Sequence, residues 1–63
     1  MKKVIYSEYG LIAVVPVGYI DSKGTMYDLY LDGEFISDYQ TKTPYNIKKF
    51  EYEIIDFFTN IIK

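Results

Sequence analysis

Sixty-three residues, 49% of them hydrophobic and 25% charged, predict one folded domain covering residues 1–63, with too much apolar mass for disorder. The absence of cysteine and histidine excludes disulfides, thiolate and imidazole metal sites, and the commonest general base. A net charge of −2 without any arginine argues against a nucleic-acid partner, because phosphate clamps and base readout lean on clustered lysine and arginine.

The chain opens with Met1-Lys2-Lys3 before Val4-Ile5-Tyr6, which looks like the start of a signal peptide. Ser7-Glu8-Tyr9-Gly10 interrupts that apolar run, and no small-residue cleavage site follows. No stretch approaches the length of a membrane span, so a cytoplasmic protein is expected. Lys3–Glu8 is rich in β-formers. Leu11–Ile20 is the most apolar run and reads as a strand, with Pro16 marking an edge, a bulge or a bend because it cannot donate to a ladder. Gly10 either turns the chain between two strands or sits inside one bent strand. Asp21-Ser22-Lys23-Gly24 is a turn in which Gly24 is free to take positive φ.

Met26–Gln40 reads as a β-hairpin closed at Asp32-Gly33. Asp-Gly between strand-like runs is a strong hairpin signal, since a type I′ turn needs positive φ at both central positions. A two-residue loop puts Leu31 opposite Glu34, Tyr30 opposite Phe35 and Leu29 opposite Ile36. One face then carries Tyr27, Leu29, Leu31 and Ile36, and the other Met26, Tyr30, Phe35 and Tyr39. A three-residue loop with a bulge at Gly33 would shift this pairing.

Thr43 is the expected helix N-cap, with Pro44 at the first helical position. Ile47, Phe50, Ile54, Phe57, Phe58 and Ile61 follow helical spacing, and Ile55 and Ile62 widen the stripe to an arc of about 160°. Tyr45, Lys49, Tyr52, Glu53, Asp56 and Asn60 fall on the polar side, and Lys63 suits the negative end of the helix dipole. The fold class is therefore α+β: a small antiparallel sheet of three to four strands, β-(β)-β-β-α, with one C-terminal amphipathic helix packed on one face. A domain this small often needs a staple. With none available, a dense aromatic core or self-association must supply the stability. Eight tyrosines and four phenylalanines provide the material; with frequent isoleucine and lysine they are residue types whose codons are AT-rich, so an AT-rich genome is the expected reason for their number.

Both hairpin faces are apolar, while one helix covers only one of them. The second face holds the main partner-binding candidates: Met26, Tyr30, Phe35 and Tyr39, with Asp28 and Asp38 as an acidic rim. Aromatics and methionine are enriched at protein interfaces. The competing expectation is that the N-terminal strands fold over this face as core. Glu51 is a further candidate, because it falls inside the apolar arc near Ile47 and Phe58. It either lies at the rim or hydrogen-bonds a tyrosine hydroxyl, or it meets a partner. Charge is segregated along the chain, with five acids and one lysine from Asp21 to Asp38, then three lysines and no acid from Lys42 to Lys49. Lys42, Thr43, Lys48 and Lys49 around the expected helix start form an anion-binding candidate. The competing expectation there is a solvated lysine face. Asp28, Asp32, Glu34 and Asp38 have neither the spacing nor the shared face of a metal site, and turn chemistry with edge protection explains them better. No metal or cofactor is expected.

Nucleophilic triads need a base that is missing, and a carboxylate pair working on a sugar needs a cleft that a chain this short can hardly build. A non-enzymatic role follows. The element order resembles that of the small DNA-binding domains of some tyrosine recombinases, but the arginine-free, acidic sheet runs against their function. In size and composition the chain is similar to proteins of phages and other mobile elements of AT-rich bacteria, many of which bind and inhibit a host enzyme. The leading expectation is a small protein-binding module that inhibits or modulates a host protein, with a homodimer as one form. The alternative is a nucleic-acid or phosphate-binding regulator using the lysines at the helix start.

Overall fold

The computed structural model describes residues 2–62, so Met1 and the Lys63 expected in the last helical turn lie outside the described residues. Four strands form one antiparallel sheet in the order β1-β2-β3-β4: β1 (Lys3–Ser7), β2 (Gly10–Ile20), β3 (Gly24–Leu31) and β4 (Glu34–Thr41). A single helix, α1 (Lys48–Ile62), follows. This is the small α+β architecture that the alternation and helical spacing predict. The segment left open as one strand or two is two strands, joined by a tight turn at Glu8-Tyr9, with Ser7 paired to Gly10. The Ser7 hydroxyl fixes that turn, accepting the Tyr9 N–H and donating to the Gly10 carbonyl.

Pro16 sits where its missing N–H is tolerated. Strand β1 ends at Lys3 opposite Val14, so β2 has become an edge by Pro16. There the pairing with β3 also slips, leaving Val17 as an extra residue between Pro16 and Gly18. The turn after β2 delivers Gly24 into β3 at φ 89°, against the end of β4. A Cβ at that position would lie 2.2 Å from the Thr41 carbonyl oxygen, so only glycine fits.

The hairpin closes at Asp32-Gly33 as expected. The φ values of 50° and 88° are those of a type I′ turn, and Leu31 pairs with Glu34 and Tyr30 with Phe35. Beyond that the register departs from simple alternation. Leu29 faces Ser37, not Ile36. Ile36 is the extra residue of a β-bulge, and past a bulge the side chains of the strand exchange faces. Tyr39 therefore pairs with Tyr27 on the helix side, and Asp38 pairs with Asp28 on the other.

The helix packs on the face formed by Ile5, Ile12, Val14, Tyr27 and Leu29, inserting Phe50, Ile54 and Phe58 at a four-residue spacing. Fully burying a Leu, Ile or Phe side chain is worth about 1.5–3 kcal/mol. The six residues with no more than traces of exposure, Phe50, Phe58, Ile12, Leu29, Ile54 and Val14, thus dominate cohesion. Tyr27 tilts onto Phe50 at 5.2 Å and Tyr39 onto Phe57 at 4.8 Å. The buried stripe is narrower than the apolar arc in the sequence, for Ile47, Ile61 and Ile62 remain exposed.

The helix also starts later than its expected cap. Thr43 does not cap it, and Pro44 is not its first residue. The Thr43 N–H donates to the Thr41 hydroxyl, and the Thr43 hydroxyl is drawn to the Glu53 carboxylate. The chain then makes a turn closed by Ile47 N–H on the Pro44 carbonyl, and the first helical residue is Lys48. The capping hydroxyl is used by tertiary structure, so the helix begins one turn on.

Candidate functional site

The second face of the sheet is built by alternation from all four strands. Taking the residues between those in the core, it presents Val4 and Tyr6 of β1, Leu11, Ala13 and Val15 of β2, Met26, Asp28 and Tyr30 of β3, and Phe35 and Asp38 of β4. The N-terminal strands extend the sheet; they do not fold over it. That overturns the expectation that this face is core. Among the described residues no element covers it. Phe35 is 53% exposed and Tyr6 85%, and Val4 and Leu11 are exposed beside them. Leu11, Val4 and Tyr6 join the site unforeseen, because the register that sets the faces of β1 and β2 follows from their pairing in the sheet.

Its geometry has two adjoining parts. Tyr30 and Phe35, directly opposite on β3 and β4, meet edge to face with ring centres 5.6 Å apart, a favoured aromatic arrangement. One step along the strands, Asp28 of β3 stands directly opposite Asp38 of β4, with Val15 of β2 on the far side of Asp28. Met26 follows, paired with Gln40. The Asp32 turn braces the hairpin end. Its carboxylate accepts the Leu11 N–H at 2.9 Å and its own N–H donates to the Leu11 carbonyl at 2.8 Å, tying the hairpin to β2.

Of the residues named as partner-binding candidates, Met26, Asp28, Tyr30, Phe35 and Asp38 come together on this face; Tyr39, expected there, does not, and Glu51, a separate candidate on the helix, lies elsewhere. The bulge at Ile36 carries Tyr39 to the helix side, where it packs on Phe57 and donates to Glu53 at 2.5 Å. Glu51 lies at the rim of the helix–sheet interface and pairs with Lys3 at 3.3 Å. Its place in the apolar arc is explained by that ion pair, on the opposite side of the sheet from the aromatic face.

The polar cluster around Glu53 had no sequence signal beyond two threonines near a helix. Burial pushes the Glu53 carboxyl up, but hydrogen bonds from Tyr39, Thr43 and Thr41 and the nearby Lys49 charge outweigh it and hold the group below its ordinary value. Burial, then the hydrogen bond to Glu53 and its charge, push the Tyr39 hydroxyl up to about 12. This cluster also dismantles the anion-binding set. The Thr43 hydroxyl and the Lys49 charge are directed at Glu53. Lys42 precedes the first helical residue by six positions, so of the four residues only Lys48 and Lys49 lie in the helix. On the helix side a shallow apolar pocket of about 230 Å³ opens between Val14, Pro16, Tyr27 and Tyr45. The lysine at its edge, Lys3, is the one paired with Glu51.

Among the described residues no three acidic side chains converge as metal ligands would, and no helix is long and apolar enough to cross a membrane. No protein-family model matches the chain, and comparison with curated proteins and with solved structures likewise gives no match.

Proposed function

We propose that this chain is a non-enzymatic binding module that docks a partner protein on the open face of its sheet, through Met26, Asp28, Tyr30, Phe35 and Asp38. One observation carries the reading: an apolar, aromatic sheet face to which all four strands contribute and which, among the described residues, no element covers. Exposed apolar patches of this kind mark interaction sites, and tyrosine and phenylalanine supply large contact area at low entropic cost. The lack of histidine and cysteine supports binding over catalysis. We extend the proposal, on size and composition alone, to a cytoplasmic protein of a phage or mobile element that inhibits or modulates a host protein by occupying its surface.

The test is site-specific photo-crosslinking in cells that express the full chain. A photo-reactive residue replaces either Phe35 or Tyr52, which is exposed on the helix. Covalent adducts to another protein are expected from position 35 and not from position 52. Adducts from both positions, or from neither, would overturn the docking reading.

A further inference from the structure

We infer that the occupant of the open face is a partner segment bearing a lysine or arginine among apolar side chains, its cation seated between Asp28 and Asp38. The inference rests on the docking reading above and adds the chemistry of the partner. In the free chain the two aspartates are directly opposed across β3 and β4. Like charges in that relation destabilise a sheet. Among the described residues, neither carboxylate has a compensating lysine or hydrogen-bond donor. A cation from outside would convert the repulsion into two attractions.

The surroundings fit such a group. The Tyr30–Phe35 pair stands beside the carboxylates on the same face, so a bound ammonium or guanidinium meets aromatic rings as well as oxygens. Val15, Met26, Leu11 and Val4 supply apolar ground for the flanking residues. The same chemistry argues against other occupants. Phosphate-bearing partners, nucleic acid or anionic lipid, would meet two carboxylates. Within its strands, a second copy of this chain offers no cation on its own open face. The only lysine within the strands is Lys3, which points to the helix side and pairs with Glu51.

The experiment pans a displayed library of random peptides on the full chain, then measures binding of a selected peptide in solution. Expected are sequences with lysine or arginine beside aromatic or aliphatic residues, which shift the NMR signals of Tyr30 and Phe35. Affinity should fall by at least roughly tenfold in the Asp28→Asn/Asp38→Asn variant, while its melting temperature stays level or rises. Should that variant fail to fold, the wild-type affinity itself must drop steeply with added salt. Peptides that bind at Tyr30 and Phe35 without a basic residue, or indifferently to the aspartates and to salt, would overturn the inference and leave the docking reading standing. No peptide binding at this face, or dimerisation through it, would overturn both.

Discussion

Glu53 joins the last strand to the helix by accepting hydrogen bonds from Tyr39, Thr41 and Thr43. Its folded-state pKa lies below the ordinary 4.5. The unfolded chain therefore binds the extra proton, and the stability Glu53 contributes is fully present above 4.5 and lost as pH falls through the folded value. Tyr39 has the opposite sign. Raised from 10.0 to about 12, it contributes stability below pH 10 that disappears as the pH climbs toward 12. A Glu53→Gln variant should thus be less stable than wild type near neutrality. The gap between their melting temperatures should close as pH drops below 4.5. Thermal unfolding followed by circular dichroism across pH measures this. A gap that is constant with pH would mean the carboxylate is not held by these partners. None of this was legible in the sequence, where helical spacing puts Glu53 on the polar side. The residues that draw it inward come from a strand and a loop whose positions follow only from packing.

The bulge at Ile36 is the element that decides the two faces of the sheet. The turn at Asp32-Gly33 could be read from the chain, since the type I′ geometry requires residues of that kind. The register near the turn followed with it, at Leu31–Glu34 and Tyr30–Phe35. The bulge could not be read, because Phe35-Ile36-Ser37 contains no glycine or proline to announce it. Its reason lies in tertiary structure: it brings Tyr39 onto Phe57 and Glu53 and turns Asp38 outward. Deleting Ile36 should restore uninterrupted alternation while keeping every other pair, with Phe35 and Asp38 still on the open face and Tyr39 still on the helix side. Because Ile36 is itself exposed and no buried pair is lost, a change of no more than about 1 kcal/mol is expected in urea denaturation. A loss above about 2 kcal/mol would show that the bulge supports the fold through its local twist and not only by setting the faces. The helix was legible in type and in its Phe50, Ile54, Phe58 stripe. Its start was not, because the Thr43 hydroxyl that local rules assign to capping is taken by Glu53.

For the molecule as a whole, the consequence is a sheet buried on one side only. A substitution in the core face and one on the open face should therefore differ sharply. Leu29→Ala removes a fully buried side chain and should cost about 2–5 kcal/mol, a large share of what a domain of this size can hold. Phe35→Ser removes a larger side chain from an exposed position and should change stability by no more than about 1 kcal/mol. Equilibrium unfolding of the two variants measures the contrast. A severe loss with Phe35→Ser would mean that the open face contributes to the fold of the free chain.

The chain by itself determined what local physics controls: the periods that make strands and a helix, the Asp-Gly turn, glycine at positive φ, and an apolar excess that one helix cannot cover. The tertiary structure alone decided which residues share a face. Face membership depends on register, and a single bulge reverses it. It also depends on whether the N-terminal strands extend the sheet or cover it, a choice made by long-range pairing that no local pattern records. Those two decisions moved Tyr39 to the helix side and left Tyr30, Phe35, Asp28 and Asp38 together on the open one.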